Sequence, residues 1–234
     1  MMLHRVTMFT RFHILRPAGV LNGRGCRAFS QPCWSCGGSV RNKKTKNFVP
    51  LACDSCGIIQ PIPKDASLFA LLGTEPSFDV DLADLEARFR NRQRALHPDL
   101  YTLKPENEQE LSASASAAVN RAYQVLKNPM ARLRYILELE GNSALSESAG
   151  SSGSISDPMF LSEIMDLRDD IENCSSHADM AEFRKHNQKQ IQSSIGIIKE
   201  LYLARDIDAL ASEAVKLQYY TKIGDEIEEA AEKF

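Results

Sequence analysis

The chain has 234 residues, 25% of them charged and 43% apolar, ordinary proportions for a folded globular protein. Its formal charge of −3 combines two unlike parts: residues 1–53 carry nine basic side chains and no acidic one, and residues 54–234 carry 19 basic and 31 acidic, a net of −12. The acidic body argues against a duplex nucleic-acid binder, which needs a phosphate-neutralising face; no apolar run reaches 18 residues, so no membrane span is expected; and six cysteines, five of them clustered within residues 26–56, do not make a disulfide-dense secreted scaffold.

Residues 1–29 interleave Arg5, Arg11, Arg16, Arg24 and Arg27 with Met, Val, Phe, Ile and Leu and contain no acid. That composition predicts a mitochondrial presequence, basic and amphipathic, drawn by an inside-negative potential. Arg11 and Arg16 interrupt the apolar core a secretory signal would need. Arg27-Ala28-Phe29-Ser30 resembles a matrix-processing site, so the mature chain would begin near Ser30 in the mitochondrial matrix, with a cytoplasmic pool as an alternative.

Residues 30–63 hold two CxxC units, Cys33-Trp34-Ser35-Cys36 and Cys53-Asp54-Ser55-Cys56, each followed by glycine. A C-x2-C spacing turns two thiolates to one point, and two such knuckles face to face make a tetrahedral four-sulfur site. Structural zinc is the first expectation for this ribbon. A single iron also suits tetrahedral thiolate, and redox exchange or disulfides remain alternatives. Arg41, Lys43, Lys44 and Lys46 in the connecting loop would offset the negative charge of such a centre. Trp34, the only tryptophan, is expected to pack on this small core.

From Ser67 the pattern becomes helical. Ser67 and Gly73 bracket a short capped helix. Asp79 or Asp81 then caps a helix to about Leu96, with Leu82, Leu85, Phe89 and Leu96 on its buried side and the rows Arg88/Arg92 and Arg90/Arg94 on other faces. His97-Pro98-Asp99 follows, and Pro98 disfavours helix at His97. A helix over about 106–127 contains Asn120-Arg121-Ala122-Tyr123-Gln124-Val125-Leu126, and another spans about 130–140. The histidine–proline–aspartate tripeptide between a basic helix and this sequence resembles a J-domain over residues 66–140. The resemblance implies that His97, Pro98 and Asp99 contact an Hsp70 ATPase domain, with Arg90 and Arg94 steering towards its acidic surface and Arg92 a weaker candidate. Leu100 departs from the Lys or Arg common after the motif. Without the motif, His97 would read as a helix cap and the arginines as a solvated face. No nucleophile or carboxylate pair accompanies His97, so no catalytic site is expected.

Residues 141–156 contain seven Ser and three Gly and predict a flexible linker. Three amphipathic helices follow, about 157–174, 178–204 and 207–234, with Phe160, Ile164, Leu167 and Ile171 as the inward stripe of the first. Short connections argue for an antiparallel bundle. The whole fold is therefore expected to be all-α: a J-domain helical hairpin plus a C-terminal antiparallel three-helix bundle, preceded by a small four-cysteine metal-binding ribbon. Leu161 and Met165 form a second stripe, and Tyr219 lies about 100° off the inward stripe of the last helix. These make either a partner patch ringed by acid or simply a wide buried face.

The order of modules, with Asp157-x-x-Phe160-Leu161 and Asp166-Leu167-Arg168, resembles the HscB family of iron–sulfur co-chaperones, and the cysteine ribbon resembles its mitochondrial branch in animals. The resemblance implies a protein that holds the cluster-assembly scaffold on Leu161, Met165, Asp166, Asp169 and Tyr219 and triggers ATP hydrolysis in the mitochondrial Hsp70, easing transfer to recipient apoproteins. Ser162 stands where the family interface would carry a long apolar side chain. Two other readings are a general matrix J-protein for unfolded clients and a cysteine-based metal or redox protein.

Overall fold

Two cysteine turns come first in a computed structural model of the chain, which describes residues 30–41, 48–142, 144, 145 and 157–232. The expected presequence, the side chains of Arg41, Lys43, Lys44 and Lys46, and nearly all of the expected linker lie outside the described residues. Strands β1 (Ser30–Pro32) and β2 (Ser39–Arg41) pair antiparallel with Gln31 opposite Val40, closing the first turn. An isolated bridge between Ala52 and Ile59 closes the second.

Helix α1 (Leu68–Leu72) is only five residues long, and its ends explain how it persists. The Ser67 hydroxyl accepts the Ala70 N–H, and Gly73, at φ +70°, turns its N–H back onto the Phe69 and Ala70 carbonyls. Asp81 caps α2 (Leu82–Ala95) by accepting from the Ala83 and Asp84 N–H groups. Leu85 and Leu96 are buried as the periodicity predicts, and Phe89 stacks on Tyr123 with centroids 4.3 Å apart. Leu82 is not on the buried side: it is 52% exposed, because it occupies the first helical position, one turn before burial begins at Leu85. Helix α3 (Glu106–Lys127) lies against α1 and α2. Asn128 ends it in an extended conformation and caps α4 (Pro129–Leu139), so one residue both stops and restarts the chain.

The C-terminal part is a long hairpin with a short third helix. Helix α6 (His177–Ala204) turns at Arg205 and Asp206 into α7 (Ile207–Ala231). Arg205 takes the left-handed conformation, φ 62°, that lets its N–H cap Leu201 and Tyr202. At 1.5 Å per residue α6 is about 42 Å long, against about 22 Å for α5 (Pro158–Glu172). The expected antiparallel three-helix arrangement is therefore uneven, with α5 lying on the far half of α7.

Burial follows that unevenness. At the far end Phe160, Ile164, Ile171, Met180, Ile223 and Ile227 form one cluster. A larger core joins three parts of the chain: Val49 and Ile59 from the cysteine segment, Phe69, Leu85, Val119 and Leu133 from α1–α4, and Ile198, Leu210, Ala214 and Leu217 from the near end of the hairpin. Cys33, Val40 and Cys53 form a third, minimal cluster. Helix α4 packs on α7, and polar links cross the same seam. The Tyr202 hydroxyl donates to the Pro76 carbonyl at 3.0 Å, Lys199 pairs with Asp79 at 2.8 Å and Arg205 with Glu140 at 3.5 Å. Among the described residues no helix is long and apolar enough to cross a membrane.

Candidate functional sites

The cysteine centre is built by two copies of one turn. Cys33 N–H bonds the Gly38 carbonyl at 2.7 Å and Gly37 N–H the Cys33 carbonyl at 3.0 Å; Cys53, Gly57 and Ile58 repeat this at 2.9 and 2.8 Å. Gly37 and Gly57 sit at φ +68° and +72°, where a side chain would be strained, so each glycine after the motif is a geometric requirement. The four sulfurs lie within 4.8 Å of one another, Cys33 to Cys56 at 3.7 Å and Cys36 to Cys53 at 3.8 Å. Four thiolates around a zinc ion at about 2.3 Å would be about 3.8 Å apart. The residues present thus fit a tetrahedral metal, and all four cysteines are free thiols instead of disulfides.

Electrostatics point the same way. The Cys36 N–H is the main influence holding the Cys33 thiol down at about 6, helped by the Ser35 N–H and opposed by burial. The N–H groups of Cys56 and Ser55 lower Cys53 likewise. For Cys56 the Ile58 N–H pulls down, but burial and the neighbouring thiols Cys36, Cys33 and Cys53 together push it up to about 12. Like charges so close cannot all ionise by themselves; a cation removes that conflict. The Gln60 side-chain amide, 1% exposed, donates to the Cys33 sulfur at 3.2 Å, a contact no spacing rule would have found. Trp34 is 45% exposed and donates its indole N–H to the Ile59 carbonyl at 2.7 Å, so it lies over this core without being enclosed by it.

Arg92 ties the cysteine segment to α2. It is 6% exposed, donates to the Val49 carbonyl at 2.8 Å and lies over the Phe48 ring, while burial lowers its pKa to about 10. A steering role for Arg92 is thereby corrected: its guanidinium is enclosed and cannot meet a partner. Arg88 is also engaged, by Asp84 at 2.7 Å and the Gly73 carbonyl at 2.6 Å.

His97, Pro98 and Asp99 form the tip after α2, where Pro98–Leu100 makes one 3-10 turn. His97 caps this following turn, not the preceding helix: its Nδ1 accepts the Asp99 N–H at 3.3 Å and lies 3.4 Å from the Asp99 carboxylate. The Asp99 side chain is 85% exposed, fixed at its backbone and open at its carboxylate. Arg90 is exposed and paired with Glu86 at 2.6 Å, whereas exposed Arg94 has no ion-pair partner among the described residues.

On α5, Asp157 caps the Met159 and Phe160 N–H groups and sets the helix phase. Phe160, Ile164 and Ile171 turn to α7; Leu161 is half-buried, Met165 is 66% exposed, and Asp166 and Asp169 are exposed. Tyr219 is half-buried and meets the Phe160 ring edge-on at 5.8 Å, and Tyr220 does the same at 5.7 Å. Tyr219 is thus in part a core residue. Arg168 grips Glu226 through Nε and Nη2 at 3.0 and 2.8 Å, clamping α5 to α7.

Residues 156–228 match the family described as the HscB C-terminal oligomerisation domain. A co-chaperone protein HscB homolog of Vibrio vulnificus is 32% identical over 169 residues, covering 70% of this chain and 96% of that protein. The chain belongs to the HscB family of co-chaperones. The iron–sulfur cluster co-chaperone protein HscB of Homo sapiens is 29% identical over 222 residues, 90% of either chain. The crystal structure of human co-chaperone protein HscB superposes with a TM-score of 0.72 at 25% identity, covering 85% of this chain and 97% of that one. The bacterial and human relatives differ in reach, and the HscB match to the latter extends over more of this chain. Membership places the protein in iron–sulfur cluster biogenesis as a co-chaperone, a family that is not one of catalytic enzymes.

Proposed function

We propose that this chain brings a cluster-assembly scaffold to a mitochondrial Hsp70 and stimulates the ATPase of that Hsp70. Asp99 carries the proposal. An exposed carboxylate held on a proline-stiffened turn, which follows the helix carrying the exposed Arg94, is arranged to meet a cation while that arginine meets an acidic surface. His97 fixes the backbone of the turn, Pro98 its φ, and Arg90 shares the solvent face of α2 with Arg94. The scaffold would dock on Leu161, Met165, Asp166, Asp169 and Tyr219, where an apolar strip adjoins carboxylates.

In this reading residues 30–63 are a ribbon, 66–140 a J-domain, 141–156 a linker and 157–234 the scaffold-binding bundle, with residues 1–29 removed in the mitochondrial matrix. Cys33, Cys36, Cys53 and Cys56 would hold zinc, which fixes two turns that have too little core to persist alone. The experiment is a single-turnover Hsp70 ATPase assay with the scaffold present. Asp99→Asn should abolish stimulation while scaffold binding by calorimetry is unchanged, and full stimulation by this variant overturns the proposal.

A further inference from the structure

The two cysteine turns repeat one backbone pattern, 20 residues apart, from Cys33 to Cys53. Pro32 pairs with Ser39 and Ala52 with Ile59, and the first cysteine of each turn makes the same two backbone hydrogen bonds. The sulfur of that cysteine also accepts the N–H two residues on, from Ser35 or Ser55, at 3.4 Å in both turns. The repeat breaks where Val40 of the first turn corresponds to Gln60 of the second, each 1% exposed. Val40 packs with Cys33 and Cys53 and has no side-chain donor. Gln60 instead reaches across to the opposite turn and donates to the Cys33 sulfur at 3.2 Å. The Cys53 sulfur has no counterpart to this donor among the described residues.

The contact is held from both ends of the residue. Gln60 N–H bonds the Leu51 carbonyl at 2.8 Å, and Nε2 also donates to the Ile58 carbonyl at 2.9 Å and the Ile59 carbonyl at 3.2 Å. Three acceptors around Nε2 admit only the NH2 end of the amide there. Oε1 is buried with no partner among the described residues, so keeping an N–H on sulfur carries a desolvation cost. The first turn closes with valine at the same position, so the turn itself does not require an amide. We propose that Gln60 is a positioning residue for a divalent metal on the four cysteines and makes the two turns electronically unequal, with Cys33 the less electron-donating thiolate and Cys53 the more donating one. An N–H aimed at a thiolate draws charge from it, and four thiolates on one divalent ion carry an excess of negative charge that such a bond spreads. Gln60 has this role only if the four cysteines hold a metal, as proposed above.

The test loads the full chain with cobalt(II), a tetrahedral stand-in whose sulfur-to-metal absorption reports thiolate donation. Gln60→Met keeps the volume of the side chain and removes its donor. It should move that absorption to longer wavelength, because a sulfur without the hydrogen bond gives up charge more easily, and lower zinc affinity about tenfold in competition with a chelator. Gln60→Val, the side chain of the first turn, should shift the absorption in the same direction while the helical circular dichroism is unchanged. A wild type that binds cobalt(II), with both variants matching it in absorption and zinc affinity, overturns the role of Gln60 and leaves the four-thiolate centre standing. A shift in Gln60→Val that Gln60→Met does not share also overturns it, since lost volume then accounts for the change. A wild type that takes up neither metal overturns the centre itself, and this role with it.

Discussion

The guanidinium of Arg92 lies 3.8 Å from the centroid of the Phe48 ring and donates to the carbonyl of the next residue, Val49, at 2.8 Å. This pair joins the basic helix that leads to Asp99 to the segment carrying the second cysteine turn. Arg92→Ala removes a charged hydrogen bond and a cation–π contact in a buried site and should cost about 2–4 kcal/mol in urea unfolding. Arg92→Met should cost less, since Nε and Nη2 of Arg92 have no hydrogen-bond partner among the described residues and their removal relieves desolvation. Equal losses for both variants would contradict this account of the site.

Metal removal should be felt beyond the ribbon. Val49 and Ile59 are buried in the same core as α1–α4, so releasing the cysteine turns loosens that core. Chelation is expected to shift the emission of Trp34, whose indole N–H bonds the Ile59 carbonyl, and to lower the thermal midpoint of the helical body by about 4 °C. An unchanged midpoint would show that the ribbon is only an appendage.

Two residues on different faces of α5 should separate binding from stability. Phe160 is 6% exposed under Tyr219 and Tyr220, and Phe160→Ala should cost about 3 kcal/mol. Met165 is 66% exposed, and Met165→Ala should change stability by under about 0.5 kcal/mol. Together with Leu161→Ala it is expected to weaken scaffold binding at least tenfold in calorimetry. Unchanged scaffold affinity in that double variant would remove this face from the proposal.

The Arg184–Glu228 clamp, with N–O distances of 2.6 and 2.8 Å, supplies a dependence on pH. The Arg184 hydrogen bond lowers the Glu228 carboxyl below its ordinary 4.5. A lowered folded value means the contribution is fully present above the unfolded value and is lost as pH falls through the folded one. The stability difference between wild type and Glu228→Gln should therefore be constant from neutral pH to about 5 and shrink below that. The effect will be small and salt-sensitive at this exposed pair. A difference that grows on acidification would refute the assignment.

Much of the helical layout was legible because caps and periods are local. Ser67, Gly73, Asp81, Asn128 and Asp157 mark helix ends as their side chains or φ values require. The cysteine tetrahedron was legible for the same reason, since both turns and their glycines lie within one short segment. What sequence could not carry was long-range. Arg92 reads as one more guanidinium on a basic helix until Val49 is folded against it, 43 residues away. Gln60 has no spacing signature as a thiolate donor, and the half-burial of Tyr219 depends on where Phe160 of another helix falls. Leu82 failed for a simpler reason: periodicity gives the direction of a side chain but not whether anything packs there.

The shared core between α1–α4 and the α6–α7 hairpin also decides what sets the distance between the two proposed docking ends. With α4 seated on α7 and Tyr202, Lys199 and Arg205 fastened to Pro76, Asp79 and Glu140, the mechanical joint is packed helix surface. Changing the number of residues in the Ser- and Gly-rich stretch over 141–156 should therefore leave the span between Asp99 and Met165 unchanged, the behaviour of a fixed gauge and not of two tethered hands.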